Sequence, residues 1–282
     1  MLLGVHMFKT NRNPEEFALW LKESGYKAGY LPYEWNIKPG MEKEINEIKE
    51  AFKKNDIVLA EVGIWRNPFD PEPGKAKENT DYIIERLSLA DETGARCAVN
   101  VIGSPSGRND DPANVSKDFY DRAIEVYRKI VDAVKPQQTK MCFEILPFNF
   151  LDSAEIYEQF IKDLDRPKYA GIHLDPFNTI VSPRLYYRSA DVFTESVKRL
   201  APLGIVSIHL KDILMHSNLP NTFIEEVPLG TGGVDVKSFL IAVDQYLPKD
   251  TPVMLEHLNT EEEFAHAKKV TEKICSEAGI NL

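Results

Sequence analysis

Short apolar or β-branched runs alternate along the chain with longer segments whose apolar residues recur at helical spacing, the signature of repeated βα units. The runs LLGVHM (2–7), AGYLPY (28–33), IVLAEVGIW (57–65), RCAVNVIG (96–103), KMCFEIL (140–146), YAGIHLD (169–175), IVSIHLKD (205–212) and PVMLEHL (252–258) predict eight strands. The segments between them carry helix punctuation. Asn13, Pro14 and Glu16 open the first helix as cap, N1 proline and N3 acid, Phe17, Trp20 and Leu21 give its apolar stripe, and Gly25 ends it. Ile45, Ile48 and Phe52 mark the second. Phe119, Ala123, Tyr127, Ile130 and Val134 mark the fourth, which stops before Pro136. Asp152 with Glu155, and Thr260 with Glu263, read as capping boxes of the fifth and eighth helices, and Asp235 as the cap of the seventh.

Eight such units in 282 residues predict a closed parallel barrel, a single (β/α)8 TIM-barrel domain over 1–282. An open doubly wound sheet is the rival, but its first turn is commonly glycine-rich, and here the first strand runs into FKTNRNP. No linker or composition shift divides the chain. With 43% hydrophobic and 28% charged residues the composition is that of an ordinary globular protein. A net charge of −10 without any basic stripe argues against nucleic-acid binding. Cys97, Cys142 and Cys275 are odd in number and lack CxxC spacing, as expected of reduced thiols in a cytoplasmic protein. MLLGVHMFKT does not read as a signal peptide, and no run reaches membrane-spanning length.

A barrel of this kind presents its chemistry at the C-terminal ends of its strands. The polar residues there are His6, Tyr33 or Glu34, Glu61, Asn100, Glu144, His173 with Asp175, His209 with Lys211, and Glu256. Strand alternation puts His173 and Asp175 on one face, with His173 a layer deeper as a supporting or packing residue. Glu144, Asp175, His209 and Glu256 stand one on each of the last four strands, 31, 34 and 47 residues apart, the last interval stretched by an insertion between 213 and 232. Three carboxylates and an imidazole form an oxygen-rich set suited to Mn²⁺, Mg²⁺ or Co²⁺, with Zn²⁺ as a further choice. Four separate ion pairs at the rim are the alternative; their coincidence on consecutive strands favours a metal.

The strand ends FEILP with Glu144, GIHLDPFN with Asp175, SIHLKD with His209 and MLEHL with Glu256 resemble those of the xylose isomerase-like TIM-barrel superfamily of sugar isomerases and epimerases. Also similar are GVHM on the first strand, LADETGARCAVNVIGS around the fourth and VPLGTGGVDV before the seventh helix. The LGTGG within the last lacks the Lys and Ser/Thr of a P-loop and reads as a tight turn. The resemblance implies that the four residues bind one divalent ion, Mn²⁺ above all. It also makes Glu144 and Glu256 the acid/base pair, working on opposite faces of a ketose, keto-polyol or keto-glycoside while the ion acts as a Lewis acid.

Two departures bear on the substrate. Ketose 3-epimerases of this superfamily have a histidine three residues after the metal-binding aspartate, where this chain has Asn178, and an arginine six residues after the ligand histidine, where it has Met215. HLKD, with Lys211 and Asp212, is more similar to relatives acting on other polyols, on keto-inositols as dehydratases, or on oxidised glycosides. A lyase is therefore one alternative, and a non-catalytic sugar-binding subunit another. The superfamily also includes an apurinic DNA endonuclease with extra histidines for three zinc ions, against which six histidines and the acidic balance argue. His6, Glu61, Trp65, His173, Asn178 and Lys211 are the candidate substrate contacts; for Lys211 a salt bridge to a rim carboxylate is the alternative. Trp35 is a candidate wall or core residue, and Arg108 and Arg184 are candidate anion contacts or solvated loop residues. The insertion is long for a βα loop and predicts a lid, and His257 is expected to point away from the cavity. The expected partner is a small carbohydrate, with no nucleic acid or membrane, and the relatives imply a homodimer or homotetramer.

Overall fold

The computed structural model describes residues 1–217 and 222–282. Its strands are β1 (Leu2–Val5), β2 (Ala28–Tyr30), β3 (Val58–Gly63), β4 (Cys97–Asn100), β5 (Lys140–Phe143), β6 (Ile172–Leu174), β7 (Ile205–Leu210), β8 (Asp212–His216), β9 (Phe223–Val227) and β10 (Pro252–Leu255). Eight of them form one parallel sheet in the order β5-β4-β3-β2-β1-β10-β7-β6. A parallel bridge from Met141 to Ala170, just before β6, joins the two ends into a nearly closed barrel. The helices are α1 (Pro14–Glu23), α2 (Glu42–Lys54), α3 (Lys75–Thr93), α4 (Lys117–Val134), α5 (Ala154–Leu164), α6 (Pro183–Tyr187), α7 (Ser189–Leu200), α8 (Val236–Tyr246) and α9 (Glu261–Ala278).

Local signals set most of the helix ends. Asn13 with Glu16 and Thr260 with Glu263 form full capping boxes, and Asp235 accepts from the Ser238 N–H to cap α8. The fifth helix differs from expectation. Its cap is Ser153, whose extended backbone aims the hydroxyl at the Ile156 N–H, so the helix begins one residue later than an Asp152 cap requires. The predicted stripes are buried, Ile45, Ile48 and Phe52 on α2 and Phe119, Ala123, Tyr127 and Ile130 on α4, except at the helix end, where Val134 is half-buried. Trp35 belongs to this outer layer, meeting Phe17 and Phe52 edge-on and donating to the Arg12 carbonyl, so it is a packing residue.

Inside the barrel the apolar filling is small. Ala28, Tyr30, Ala60 and Met254 form one cluster, and Cys97, Val99 and Cys142 another. Gly4 of β1 faces the first, where a Cβ would lie 2.8 Å from that of Ala28 and collide with the Met254 sulfur. Above these clusters the interior is polar. Five strands leave the ladder just before a candidate residue, β1 before His6, β5 before Glu144, β6 before Asp175, β7 before Lys211 and β10 before Glu256, whereas Glu61, Asn100, His173 and His209 lie within β3, β4, β6 and β7. Several of these backbones stay pinned, because the N–H groups of His6, Glu144 and Glu256 donate to Leu255, Asn100 and Leu210 carbonyls.

The insertion after β7 folds as an antiparallel hairpin, β8 with β9, running from Asp212 opposite Val227 to His216 opposite Phe223. Residues 218–221 of the expected lid lie outside the described residues. Asp212 anchors the base of the hairpin: its carboxylate accepts from the N–H groups of Ile213, Gly230 and Gly232 at 2.9, 2.9 and 3.0 Å. LGTGG is thus a turn wrapped on a buried carboxylate. Among the described residues no helix is long and apolar enough to cross a membrane.

Removing that carboxylate orphans three backbone donors. Asp212→Ala is expected to lower unfolding stability by about 2 kcal/mol in urea titrations, and Asp212→Asn, which keeps an acceptor, by less.

Candidate metal centre

Glu144, Asp175, His209 and Glu256 converge at the mouth of the barrel, each offering a ligand atom, and these atoms all lie within 4.8 Å of one another. All four are buried, none more than 5% exposed. Asp175 Oδ2 and His209 Nδ1 are buried without a well-aligned hydrogen bond, each facing instead a charged partner, the Lys211 ammonium at 2.6 Å and Glu256 Oε1 at 2.9 Å. The hard, mixed oxygen and nitrogen set fits a divalent ion.

One layer deeper, Glu61 carries the centre. It is fully buried, accepts a short hydrogen bond from the Ser207 hydroxyl, and lies 3.2 Å from His209 Nε2 and 3.4 Å from His173 Nδ1. His209 therefore spans two carboxylates, with Nε2 toward Glu61 and Nδ1 2.9 Å from Glu256 Oε1. His173 meets the His209 ring edge-on at 4.1 Å between centroids, while His6 stacks on it at 4.6 Å. His6 Nδ1 is 3.8 Å from Glu256 Oε1.

The charge balance follows from burial and these neighbours. Burial, and then the adjacent Glu256 charge, push the Glu144 carboxyl up to about 7. Burial also raises Asp175. Glu256 and Glu61 go the other way: burial opposes ionisation, but His209 and Lys211 beside Glu256, and His209 and His173 beside Glu61, hold both well below the usual carboxylate range. Burial and His209 lower His6 to about 3, leaving it neutral. Against burial and His209, Glu61 raises His173 to about 9.

Of the other candidates, Asn178 donates from Nδ2 to Glu144 Oε1 (2.9 Å) and to the Ile145 carbonyl (3.1 Å), fixing the carboxylate. Lys211 is 4% exposed, with Nζ 2.6 Å from Asp175 Oδ2 and 2.9 Å from Glu256 Oε2. Trp65 is half-buried at φ 54°, with Nε1 donating to the Tyr30 hydroxyl at 3.3 Å and its ring 6.3 Å from His6. A Cβ at Gly63 would collide with that hydroxyl. Asn100 stays out of the centre, bracing the loop after β3 through both Arg66 backbone groups. Glu34 is exposed, Arg108 is an exposed loop residue paired with Asp110, and Arg184, expected in a loop, is exposed on α6.

His257 departs from expectation. Its positive φ of 54° returns the ring toward the mouth, where Nδ1 is 2.8 Å from Glu226 Oε2 and Nε2 is 3.3 Å from Glu256 Oε1. Sequence reasoning missed Glu226 and Ser207. Strand alternation signals Ser207, which shares a face with His209 and Lys211; no local pattern singles out Glu226 on β9, because only the fold of the hairpin brings it to the centre.

The family model "Xylose isomerase-like TIM barrel" matches residues 18–274. No curated protein sequence matches the chain. Among solved structures, a D-psicose 3-epimerase determined in the presence of D-fructose is 15% identical, with TM-score 0.72 over 99% of this chain and 100% of its own. The IOLI protein with a bound zinc atom is 17% identical, with TM-score 0.72 over 99% of both chains. The 3-keto-D-glucoside 4-epimerase YcjR from E. coli is 13% identical, with TM-score 0.70 over 98% of this chain and 99% of its own.

The raised Glu144 sets a pH dependence. Between 4.5, the ordinary value, and about 7, the metal-free folded chain keeps a proton that the unfolded chain has released. The folded state then binds more protons, so stability contributed by Glu144 falls as pH rises through that window. Urea unfolding at both ends of the window is expected to show the wild type losing stability relative to Glu144→Gln as pH rises, since the other titrating groups are common to both.

Proposed function

The chain belongs to the xylose isomerase-like TIM-barrel family, and from that premise we propose that it is a divalent-metal-dependent sugar isomerase or epimerase. Its substrate on this reading is a ketose, keto-polyol or keto-glycoside. The observation that carries the proposal is the convergence of Glu144, Asp175, His209 and Glu256 on one point at the mouth. These four residues would hold the ion, for which Mn²⁺ suits the oxygen-rich set. A bound divalent ion supplies Lewis-acid polarisation of the substrate carbonyl, making the neighbouring C–H more acidic.

The proton chemistry falls to the two glutamates. In the metal-free chain His209 and Lys211 hold Glu256 well below the usual carboxylate range, whereas burial and the Glu256 charge push Glu144 up to about 7. Paired carboxyls pushed in opposite directions are a recurrent arrangement for acid/base work. Glu256 takes the proton from carbon and Glu144 returns one, either to the opposite face of that carbon or to its neighbour. The first outcome is epimerisation and the second isomerisation. Asn178 keeps Glu144 oriented through its amide, and Glu61 holds the His209 ring from below. His6, neutral and stacked on His209, and Trp65, beside Tyr30, are the side chains proposed to receive the sugar. The departures at Asn178 and Met215, with Lys211 in the centre, favour keto-polyols or oxidised glycosides over free ketohexoses.

The test is a panel of ketoses, keto-inositols and 3-keto-glycosides incubated with Mn²⁺ in deuterium oxide and followed by NMR. An isomerase or epimerase incorporates deuterium at the reacting carbon of its substrate, and a dehydratase instead yields an unsaturated ketone. Binding without exchange or product would leave a sugar-binding barrel and sink the proposal. Glu256→Gln is expected to reduce exchange by at least about a hundredfold; full turnover in that variant with metal bound would refute the two-carboxyl scheme.

A further inference from the structure

Lys211 is a buried ammonium lodged among carboxylates. Its Nζ lies 2.6 Å from Asp175 Oδ2, 2.9 Å from Glu256 Oε2 and 3.6 Å from Glu226 Oε2. The first two belong to the candidate metal set, and the third sits on β9 of the hairpin. The His257 ring fixes Glu226 with Nδ1 2.8 Å from the same Oε2. A cavity of about 560 Å³, lined in part by Lys211, Glu226, Val227, His257 and Leu258, opens beside the ammonium and provides space for the side chain to move.

A divalent ion on Asp175 and Glu256 must approach their oxygens to about 2.0–2.6 Å. The ammonium is already within 3 Å of both residues. Two positive charges a few ångströms apart in a buried site repel strongly, and neither carboxylate can fully serve both. We propose that Lys211 is a built-in competitor for the metal: divalent-ion binding displaces its ammonium from Asp175 and Glu256 onto Glu226, coupling occupancy of the centre to the hairpin. This rests on the metal reading above and goes beyond it, because it makes a residue outside the ligand set govern metal affinity. The lysine compensates the buried carboxylates in the metal-free chain. Once displaced, it faces the cavity, held by Glu226 and through it by His257.

The inference is tested by Mn²⁺ titration calorimetry on the wild type, Lys211→Met, Glu226→Gln, the double variant and Asp175→Asn. Lys211→Met is expected to bind Mn²⁺ at least about tenfold more tightly than the wild type. It should also melt earlier without metal and show a larger Mn²⁺-induced rise in Tm. Glu226→Gln should weaken binding several-fold in the wild type but have little effect in the Lys211→Met background. Equal or weaker Mn²⁺ binding by Lys211→Met overturns the competition. A Glu226→Gln effect of the same size in both backgrounds reduces Lys211 to a bystander charge and overturns the transfer. If the wild type does not bind Mn²⁺, or Asp175→Asn binds it equally well, the metal reading itself fails, and this proposal with it. A second measurement needs no variant: acetic anhydride labelling of Lys211, read by mass spectrometry, should accelerate when Mn²⁺ is added to the wild type. An unchanged or slower rate overturns the displacement, whether or not the variants fold.

Discussion

The constraint that shapes this barrel is the burial of four carboxylates. Glu61, Glu144, Asp175 and Glu256 are each at most 5% exposed. An isolated buried carboxylate is far costlier than the few kcal/mol by which a domain is stable. Each is compensated differently. Glu61 takes Ser207 and two histidines, Glu256 takes His209 and Lys211, Asp175 takes Lys211, and Glu144 takes the Asn178 amide and holds its proton up to about 7. His209 is the joint of this arrangement, because one ring meets Glu61 below and Glu256 above. Apolar packing therefore retreats to two small clusters inside the barrel and to the outer layer beneath the helices.

That division explains how much was legible in the sequence. The outer layer obeys local rules: a 3.6-residue stripe, a cap and a stop are all contained within one helix, so Asn13, Glu16, Thr260 and Asp235 were readable directly. The rule that barrel chemistry stands at the C-terminal ends of the strands likewise picked out Glu144, Asp175, His209 and Glu256. The one misplaced cap, Asp152 for Ser153, reflects two adjacent residues that can both cap, with backbone conformation choosing between them. What the sequence concealed depends on contacts between distant segments. Glu226 reaches the centre through the β8–β9 hairpin, whose base Asp212 holds through the Gly230 and Gly232 amides. His257 defeats strand alternation because it lies past the end of β10 at positive φ, where the period of two no longer applies.

The repeated IHL of β6 and β7 shows why motif likeness alone misleads about role. In the sheet His173 is level with Ser207, and Leu174 with Ile208, so the two tripeptides are offset by two residues. One step further along β6, Asp175 comes level with His209. On the other side of β7, Met254 is level with His209, which brings Glu256 level with Lys211. The stagger that closes a tilted barrel thus lowers one histidine a layer, where it packs against its twin, and lifts the other to the mouth. An aspartate two residues after the first histidine and a lysine two after the second then meet across the strands at 2.6 Å. The same offset that makes four donors converge also delivers an ammonium among them. Occupancy of the centre is therefore decided by register before it is decided by ligand identity: a shift of two residues between β6 and β7 would level the two histidines and carry Asp175 from level with His209 to level with Lys211, trading the metal-ligand neighbour for the ammonium.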